Sequence, residues 1–520
     1  MSRRAFGLVP ALFGLVLSLA PITTSAERDA IAPASDDELA WLSRRLGPRL
    51  REALADECLS NARVGLVVRE LETGAALFHH RGDELLVPAS NMKLLTAGAL
   101  LSLAGPEVTL ITQVRADRAP DGKGAVGRIY LVGGGDPSFN IEALYLAARA
   151  VAAAGVRRVE QVVADDSMFA GPDRPTSWPA RLHPHWYGAP SSALCAGFNV
   201  VAVHAQAPRD GGPTRVWLDP FPEHFQLVDE LRVGKGALSV TSERLDGASR
   251  AQRVTVRGRI RAGRSERVLR AVEQPALFAA AGLTESLRRV GIEVEKKPTL
   301  GRDVGESVVL HSHVSRPLAQ VVTDMNKHSS NVFAETLLRW LGGRAEGFPG
   351  TREKGVRVLE RFLVETSGSC TGCVVADGSG LSSDSRLTAQ ALTDLLLALS
   401  RDRQVWPELL TGLPVGGVDG TLRRRLDEPG RARQVRAKTG RLAKVVSLSG
   451  VAPVAPEQEA VFALLVNDYH CPTWKVQDAV DDLVAALIAD APRAKEPSKR
   501  LESLTARGGS GGPSTSGSGG

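Results

Sequence analysis

Residues 88–96 read Pro88-Ala89-Ser90-Asn91-Met92-Lys93-Leu94-Leu95-Thr96, and this stretch decides how the rest of the chain is interpreted. A serine stands three residues before a lysine, at the start of an apolar segment that runs to Ala104 and meets Gly105-Pro106. Because Gly-Pro does not continue a helix, we predict a helix from near Ser90 to Ala104. Residues at i and i+3 share a helix face, so Lys93 is expected close enough to Ser90 to share a proton with it.

Two further short motifs follow far along the chain. Ser329-Ser330-Asn331 stands where a helical stretch that reaches Met325 gives way to another beginning at Asn331, and Lys438-Thr439-Gly440 reads as the end of a strand. Each motif alone has an ordinary structural explanation, as a helix cap, a capping turn or a strand end. The three in this order are typical of a serine acyl-enzyme that acts on a D-Ala-D-Ala-like or β-lactam carbonyl.

The chemistry of such an enzyme suggests a role for each of these side chains. A serine hydroxyl becomes a nucleophile when a neighbour takes its proton, and a lysine whose pKa is lowered by burial and by a second cation can do so. We therefore predict Ser90 as the nucleophile, Lys93 as its base and Lys438 as the second cation. Ser329 can relay a proton to the leaving group, and Asn331 can hydrogen-bond the peptide arm of a substrate.

The third motif also predicts a binding edge for the substrate. Lys438 and the hydroxyl of Thr439 are expected to bind a substrate carboxylate, with Gly440 beside them. The backbone N–H groups of Ser90 and Arg441 are the expected donors to the tetrahedral oxyanion.

The two ends of the chain differ in composition from the rest. Met1-Ser2-Arg3-Arg4, an apolar run to about Ala20 and Thr24-Ser25-Ala26 predict a secretory signal peptide over residues 1–26, with an uncleaved signal anchor as the alternative. No later segment has the roughly 20 apolar residues of a membrane span, so at most peripheral membrane association is expected. Residues 492–520 end in a tract of Gly, Ser, Pro and Thr, and we predict a disordered tail there.

Charge, cysteine and histidine patterns narrow the function classes. The chain has 64 basic and 58 acidic side chains, a formal charge of +6, and its basic runs lack the interleaved aromatics of a nucleic-acid site. Among five cysteines, Cys370 and Cys373 form a C-x-x-C pair that could be a redox couple, half a metal site or a local disulfide, with a structural role favoured. Residues 183–185 and 311–313 each alternate two histidines without a third ligand, so no metal and no cofactor is predicted.

With these motifs in place, the chain resembles the penicillin-binding D-alanyl-D-alanine carboxypeptidase/endopeptidases, the class C low-molecular-mass penicillin-binding proteins. The resemblance extends from about Asp36 to Asp490 and includes further segments: Gly133-Gly134-Gly135-Asp136-Pro137, Asp377-Gly378-Ser379-Gly380-Leu381-Ser382 and Leu413-Pro414-Val415-Gly416-Gly417-Val418-Asp419-Gly420-Thr421-Leu422. Ser90 and Ser329 are 329 − 90 = 239 positions apart, far more than in class A β-lactamases. This excess resembles the insertion that divides the catalytic domain of the family.

The resemblance implies an α/β (α+β) fold, in which a penicillin-recognising, β-lactamase-like serine transpeptidase domain is split by a large mixed β/α insertion. We place the catalytic domain at residues 33–106 and 275–491, and the insertion, expected to form two subdomains, at residues 107–274. The resemblance also implies a metal-free periplasmic enzyme. Such an enzyme trims the terminal D-Ala of peptidoglycan pentapeptides or cleaves D-Ala-diaminopimelate cross-links, with β-lactams as covalent inhibitors. Family members bind the diaminopimelate amino group through an acidic residue of the insertion, and Asp165 is the match here.

Three positions depart from the family pattern. Arg441 replaces a small hydroxyl residue after Lys-Thr-Gly, Gly416-Gly417 alters the preceding loop, and Lys444 stands where a small residue is common. None removes a catalytic group, so we expect activity with an altered substrate preference.

Two alternatives stay open at this level. One is a β-lactamase, for which Glu335 and Glu353 are the candidate bases for deacylation. The other is a catalytically silent peptidoglycan-binding scaffold of the same fold.

Overall fold

The structure is a computed structural model that describes residues 34–245, 252–303, 305–368, 370–428 and 431–491. The predicted signal peptide (1–26) and the predicted tail (492–520) lie outside the described residues. Within these ranges, no helix is long and apolar enough to cross a membrane.

Helices and strands alternate along the described chain. The α-helices are α1 (Asp36–Leu54), α2 (Glu57–Ser60), α3 (Met92–Ala104), α4 (Ile141–Ala153), α5 (Pro275–Arg289), α6 (Leu318–Lys327), α7 (Asn331–Glu346), α8 (Arg352–Ser367), α9 (Ala389–Ser400), α10 (Trp406–Gly412) and α11 (Thr473–Leu487). The strands are β1 (Arg63–Glu70), β2 (Ala76–His80), β3 (Ile111–Ala116), β4 (Ala125–Val132), β5 (Arg158–Asp165), β6 (Val200–Gln206), β7 (Arg215–Asp219), β8 (Phe225–Val233), β9 (Leu238–Arg244), β10 (Gln252–Ile260), β11 (Ser265–Ala271), β12 (Glu293–Val294), β13 (Thr299–Leu300), β14 (Val308–Val314), β15 (Arg436–Leu442), β16 (Val445–Ala455) and β17 (Gln458–Asn467).

An antiparallel sheet with the strand order β15-β16-β17-β1-β2 forms the centre of the catalytic domain. Side chains alternate across it, so Leu66 and Val68 of β1 face one side while Val67 faces the other. On the first side, α1 and α11 contribute Leu46 and Val480 to the core. On the second side, α3 and helices α6 to α9 form the larger core. The sheet is therefore a layer between two helical layers.

The insertion contains three sheets. The first has the order β12-β5-β4-β3-β14, with β13 also paired to β5, and α4 and α5 share its apolar core. The other two sheets are β11-β6-β7 and β8-β10-β9, and the strands of the second come between β7 and β11 in the chain. Both sheets bury side chains in the same core. The insertion thus consists of an α/β subdomain and an all-β subdomain.

The insertion extends beyond the boundary expected from the sequence. We expected the catalytic domain to resume at residue 275, but α5 buries Phe278 and Leu283 in the core of the insertion, and β14 pairs with β3. Residues 275–314 therefore belong to the insertion, and the boundary moves to about residue 315. Helical periodicity shows that α5 has an apolar face but not which sheet that face covers, which is why the sequence placed it wrongly.

Two disulfides are present in the described chain. Cys370 pairs with Cys373, so the C-x-x-C pair forms a local disulfide, one of the three options left open by the sequence. Cys58 in α2 pairs with Cys471, which precedes α11, across 413 positions. Cys195 is free and buried. The long-range disulfide therefore joins the beginning and the end of the catalytic domain.

We expect loss of the Cys58–Cys471 disulfide to destabilise the protein. A cross-link over a long loop restricts the unfolded chain, so the double variant Cys58→Ser/Cys471→Ser should lower the free energy of unfolding by about 2–4 kcal/mol. Urea denaturation followed by circular dichroism measures this loss. Cys370→Ser/Cys373→Ser is the control, because its loop is short and its contribution should be smaller. Equal losses in the two double variants would contradict the expectation.

Candidate active site

Ser90 is held in position by two strands of the central sheet as well as by the helical turn in which it lies. It lies in a short 3₁₀ turn that leads directly into α3, rather than in α3 itself. The Asn467 side chain of β17 accepts from the N–H of Val87 (2.8 Å) and donates to its carbonyl (3.1 Å). Ser447 of β16 donates to the carbonyl of Pro88 (2.8 Å). Two strands therefore fix the chain just before the predicted nucleophile.

Two glycines allow other backbone segments to approach Ser90 closely. Gly380 has a φ of +73°, and a Cβ added there would lie 1.8 Å from the carbonyl oxygen of Ala89. A Cβ on Gly440 would lie 2.9 Å from the Ser90 nitrogen and 2.1 Å from Ser447 Oγ. Neither position has space for a side chain. The glycine of the Lys-Thr-Gly motif thus lies with its backbone against the predicted nucleophile.

Lys93 is fully buried in the first turn of α3, and its amine has three partners. Nζ lies 3.2 Å from Ser90 Oγ, and it donates to Asn331 Oδ1 (2.7 Å) and to the Ser379 carbonyl (2.7 Å). Burial lowers the pKa of Lys93 to about 7, although the Asp377 and Glu335 carboxylates act in the opposite direction. A large fraction of this lysine is therefore neutral near pH 7, which is the form that can accept a proton from a hydroxyl.

Lys438 forms a second pair with Ser329. It is fully buried on β15, and its Nζ donates to Ser329 Oγ (2.9 Å) and to the Thr439 carbonyl (2.8 Å). Burial, and then the charge of Lys93, lower the pKa of Lys438. Ser329 lies in the link between α6 and α7 with a φ of +53°, a strained conformation of the kind found at functional sites. Thr439 donates to Thr421 Oγ1 (2.6 Å).

Asn331 joins this cluster to the insertion. Its Oδ1 accepts from Lys93, and its Nδ2 donates to the carbonyl of Tyr187 in the insertion (2.8 Å). The Tyr187 ring stacks with His185 and meets Trp186 edge-on. Part of the wall around the predicted active site therefore comes from the insertion.

Asp377 organises the loop that receives Lys93. Two N–H groups of its own loop donate to its carboxylate (2.7 and 2.8 Å), and so does Ser379 Oγ (3.2 Å). The fourth donor is the indole N–H of Trp178 (2.8 Å), which belongs to the insertion. Trp178 and Asp377 are both buried. The insertion thus helps to position the Ser379 carbonyl, which accepts a hydrogen bond from Lys93.

The structure does not bring Asp165 into this cluster. Asp165 is buried at the end of β5, where its two carboxylate oxygens accept from the N–H groups of Ser167 (2.9 Å) and Asp303 (2.8 Å). Both of these donors belong to the insertion. The placement of Asp165 gives no support to the prediction that it binds substrate.

Of the three positions that depart from the family pattern, one lies on the strand of the Lys-Thr-Gly motif and the other two lie in turns. Arg441 is exposed on β15, two residues after Thr439. Gly416-Gly417 and Lys444 lie in turns outside the cluster. Arg441 is therefore the departure that lies on the same strand as Lys438 and Thr439.

One histidine of the two alternating pairs, His185, lies beside the cluster because its ring stacks on Tyr187. His183 and His185 lie in the insertion, and His313 of β14 has Nε2 3.7 Å from Asp136 Oδ2. Among the described residues, no group of three or more His, Cys, Asp or Glu side chains could hold a metal ion.

A comparison with protein families identifies the chain. The model of the D-Ala-D-Ala carboxypeptidase 3 (S13) family matches residues 46–487. The chain belongs to this S13 family. A D-alanyl-D-alanine carboxypeptidase of Actinomadura sp. (strain R39) is 33% identical over 498 residues, 92% of this chain and 90% of that relative. The D-alanyl-D-alanine carboxypeptidase DacB of Haemophilus influenzae is 22% identical over 422 residues, 80% of this chain and 88% of that relative.

Solved structures agree on the fold of this S13 protein. Penicillin binding protein 4 (dacB) from Haemophilus influenzae has a TM-score of 0.74 at 21% identity, covering 86% of this chain and 99% of that chain. The same protein in complex with a β-lactam has a TM-score of 0.70. The predicted penicillin-recognising α/β fold is confirmed. The predicted family, and with it a serine-type D-Ala-D-Ala carboxypeptidase, is also confirmed.

Glu335 of this S13 protein has no oxygen without a donor. It lies one turn after Asn331, where Oε1 accepts from the N–H groups of Gly378 (3.0 Å) and Ser379 (2.9 Å), and Oε2 from Arg352 Nε (3.2 Å). Burial, and then Asp377, raise the pKa of Glu335. A general base for deacylation must accept a hydrogen bond from the attacking water. Both oxygens of Glu335 already accept hydrogen bonds from the protein, so this carboxyl is better suited to supporting the loop that contains Gly378 and Ser379.

Sequence reasoning missed the residues that surround the predicted catalytic groups. The segment Asp377 to Ser382 was recognised as similar to the family, but no role followed from its residue types. Trp178 and Tyr187 had no local pattern to mark them. Their importance comes from contacts between the insertion and the catalytic domain, which no sequence motif encodes.

We expect Trp178→Phe to slow acylation of Ser90 by about tenfold without unfolding this S13 protein. Phe retains most of the buried apolar surface but leaves Asp377 without a donor from the insertion, an effect of about 1–3 kcal/mol on the loop that holds Lys93. The measurement is the second-order rate constant for a fluorescent penicillin, with thermal unfolding as a check on folding. Trp406→Phe in α10 is the matched control. A Trp178→Phe rate within twofold of the wild type would contradict the expected role.

Proposed function

We propose that this S13 enzyme hydrolyses peptide bonds at D-Ala in peptidoglycan stem peptides through an acyl-enzyme on Ser90, and that β-lactams acylate the same serine. The observation that supports this most directly is the position of the buried Lys93 amine, 3.2 Å from Ser90 Oγ with a pKa lowered to about 7. The pair of Lys438 and Ser329 provides the second half of the site.

In the proposed reaction, neutral Lys93 takes the Ser90 proton as Oγ attacks the carbonyl carbon of the penultimate D-Ala. The backbone N–H groups of Ser90 and Arg441 hold the oxyanion. Ser329, bonded to Lys438, passes a proton to the leaving amine, so the peptide bond breaks and the ester forms. The proton held by Lys93 replaces the one that Ser329 gave up. Neutral Lys93 then takes a proton from the attacking water and returns it to Ser90 Oγ as the ester bond breaks, which releases the carboxylic acid product and restores Ser90.

The substrate carboxylate has an electrostatic role in this proposal. Burial and Lys93 lower the pKa of Lys438 in the free enzyme. A carboxylate bound against Lys438 and Thr439 favours the charged lysine, and therefore raises its pKa. A charged Lys438 in turn disfavours a proton on Lys93. Binding of a substrate that ends in a carboxylate therefore increases the fraction of Lys93 in the neutral form that acts as the base.

The same acyl transfer covers both carboxypeptidase and endopeptidase action. In the first case the leaving amine is D-Ala, and in the second it is the diaminopimelate amine of a cross-linked peptide. Asp165 has no part in this proposal, because its carboxylate is bonded within the insertion. Arg441 is exposed on the binding strand, so we propose that it alters the preference for the leaving group.

We also propose that the enzyme works in the periplasm after export. The predicted signal peptide supports export. The disulfides Cys58–Cys471 and Cys370–Cys373 support it independently, because such bonds persist in oxidising compartments.

The test is the intact mass of the purified protein with and without a fluorescent penicillin, followed by peptide mapping, with Ser90→Ala as the control. A stable adduct on Ser90, absent from Ser90→Ala, is expected. Hydrolysis of penicillin without a stable adduct would favour the β-lactamase alternative. The three hydrogen bonds to the Glu335 carboxyl argue against that alternative, because they leave neither oxygen without a donor. Neither adduct nor hydrolysis would favour the silent scaffold.

A further inference from the structure

The all-β subdomain of the insertion leaves one face of the sheet β11-β6-β7 open. Alternate residues of β6, Val201 and Val203 among them, point into the core. The residues between them lie on the opposite, outer side. The strand register places Arg267 and Trp217 on either side of His204, and Ser265 and Arg215 on either side of Gln206. We call this surface the β6 face and define it by His204, Gln206, Arg215, Trp217, Ser265 and Arg267.

The β6 face presents a flat aromatic surface. The rings of Trp217 and His204 stack with centroids 4.8 Å apart and planes 4° apart. Trp217 is on β7, an edge strand, and is 42% exposed. His204 therefore covers one side of the indole and leaves the other open. An open indole side beside polar groups suits the apolar side of a sugar ring, because the indole itself is apolar with a polar N–H edge.

The all-β subdomain that carries the β6 face has more basic than acidic residues. Residues 200–271 contain 13 Arg and Lys against eight Asp and Glu, an excess of five in a chain with a formal charge of +6. Arg215 and Arg267 are exposed, and neither forms an ion pair with any residue that the structure describes. The N–H of Ala207, the residue after Gln206, donates a hydrogen bond to the carbonyl of Arg264 (3.0 Å). The turn that contains Arg261 and Arg264 therefore adds positive charge at this end of the sheet. Asp219, exposed on the same side of β7 two residues after Trp217, adds one carboxylate, so the arginines leave a net positive surface. Such a surface attracts an anionic polymer.

The strand that carries this face begins beside the active site. Phe198, two residues before β6, stacks with Phe333 of α7 at 5.4 Å. Phe333 lies two residues after Asn331, which is bonded to Lys93. His204 follows Phe198 by six residues, which is roughly 20 Å of extended strand. The strand that carries the β6 face therefore starts next to α7, the helix on which Asn331 lies.

We propose that the β6 face binds the glycan strand of peptidoglycan, whose amino sugars carry peptides that end in carboxylates. A sugar ring packs against the open side of Trp217. Arg215 and Arg267 bind carboxylates of neighbouring peptides, and Gln206 hydrogen-bonds hydroxyl or acetamido groups. This proposal rests on the proposed function, because it takes the polymer that bears the substrate peptides as the partner.

The test is co-sedimentation of the full chain with purified sacculi from which other polymers have been removed. Trp217→Ala, and separately Arg215→Ser/Arg267→Ser, should each bind about tenfold more weakly than the wild type. Added salt should weaken the wild type more than the arginine variant, because salt screens surface charge. The matched controls are Trp474→Ala, whose indole is 61% exposed in the catalytic domain, and Arg403→Ser, and both should bind like the wild type.

The same protein samples are acylated with a fluorescent penicillin to separate the two proposals. All these variants should be acylated at the wild-type rate, since no residue of the β6 face contacts Ser90. Wild-type binding by both Trp217→Ala and the arginine variant would overturn the β6 proposal. So would binding to anionic phospholipid vesicles but not to sacculi, which would indicate a membrane surface. A wild-type protein that binds sacculi through the β6 face but resists penicillin would instead contradict the acyl-enzyme.

Discussion

Lys93→Met is expected to reduce acylation of Ser90 by about 10³-fold, within the usual range for loss of a general base. Met is close to Lys in volume and leaves no charge in the buried site, so the fold should persist. The residual rate would come from binding and from the oxyanion donors, which this substitution does not touch.

The pH dependence identifies the base in the same experiment. Burial lowers the pKa of Lys93 to about 7, and the neutral form is the one that accepts a proton. The wild-type acylation rate should therefore rise as the pH increases through about 7 and fall below it, whereas the variant should lose this dependence. The second-order rate constant for a fluorescent penicillin between pH 5 and 9 measures both, and exposed Lys123→Met serves as the control. A variant that kept the same rise near pH 7 would show that another group is titrating.

Arg352→Met is expected to give the largest loss of stability, about 3–5 kcal/mol, because it removes one partner of a buried ion pair. Arg352 Nε lies 3.2 Å from Glu335 Oε2, and both side chains are almost completely buried. Without the guanidinium, the carboxyl of Glu335 stays in the core beside Asp377. Urea denaturation of the variant and the wild type measures the difference.

The loss should depend on pH with a defined sign. Burial and Asp377 already raise the pKa of Glu335, and removal of Arg352 raises it further. A group whose pKa is raised in the folded state contributes most stability at low pH and loses it as the pH rises, so the deficit should be larger at pH 8 than at pH 5.5.

Two variants control this prediction. Arg361 is on the same helix as Arg352, and its exposed guanidinium pairs with Glu346 at the end of α7, so Arg361→Met should change stability by only about 0.5 kcal/mol. Arg352→Met/Glu335→Gln should recover part of the loss, because the uncompensated charge is gone. A double variant as unstable as Arg352→Met at pH 8 would show that packing, not charge, explains the effect.

Local patterns predicted elements of the catalytic domain well. Leu39, Leu42, Leu46 and Leu50 recur at helical spacing and predict a helix from Asp36 to about Leu54, which the structure has as α1. The apolar runs at 64–68 and 75–78, on either side of residues 72–74, predict a hairpin, which is present as β1 and β2. The periodicity of apolar residues identifies these elements because each of them buries one face, and the residues of that face recur at a fixed spacing along the chain. The domain boundary expected at residue 275 was wrong for α5, because an apolar helical face does not identify the sheet that covers it.

The sequence by itself determined the family, the fold class and the identity of the candidate catalytic side chains, since three short motifs in order carry the chemistry. Only the tertiary structure decided their surroundings. The pKa of Lys93 depends on burial and on the carboxylates of Asp377 and Glu335. Trp178, in the insertion, donates a hydrogen bond to Asp377, and Asp165 accepts hydrogen bonds from Ser167 and Asp303. Burial, Coulomb interactions and hydrogen bonds depend on distance in space, and residues far apart in the chain meet only after folding.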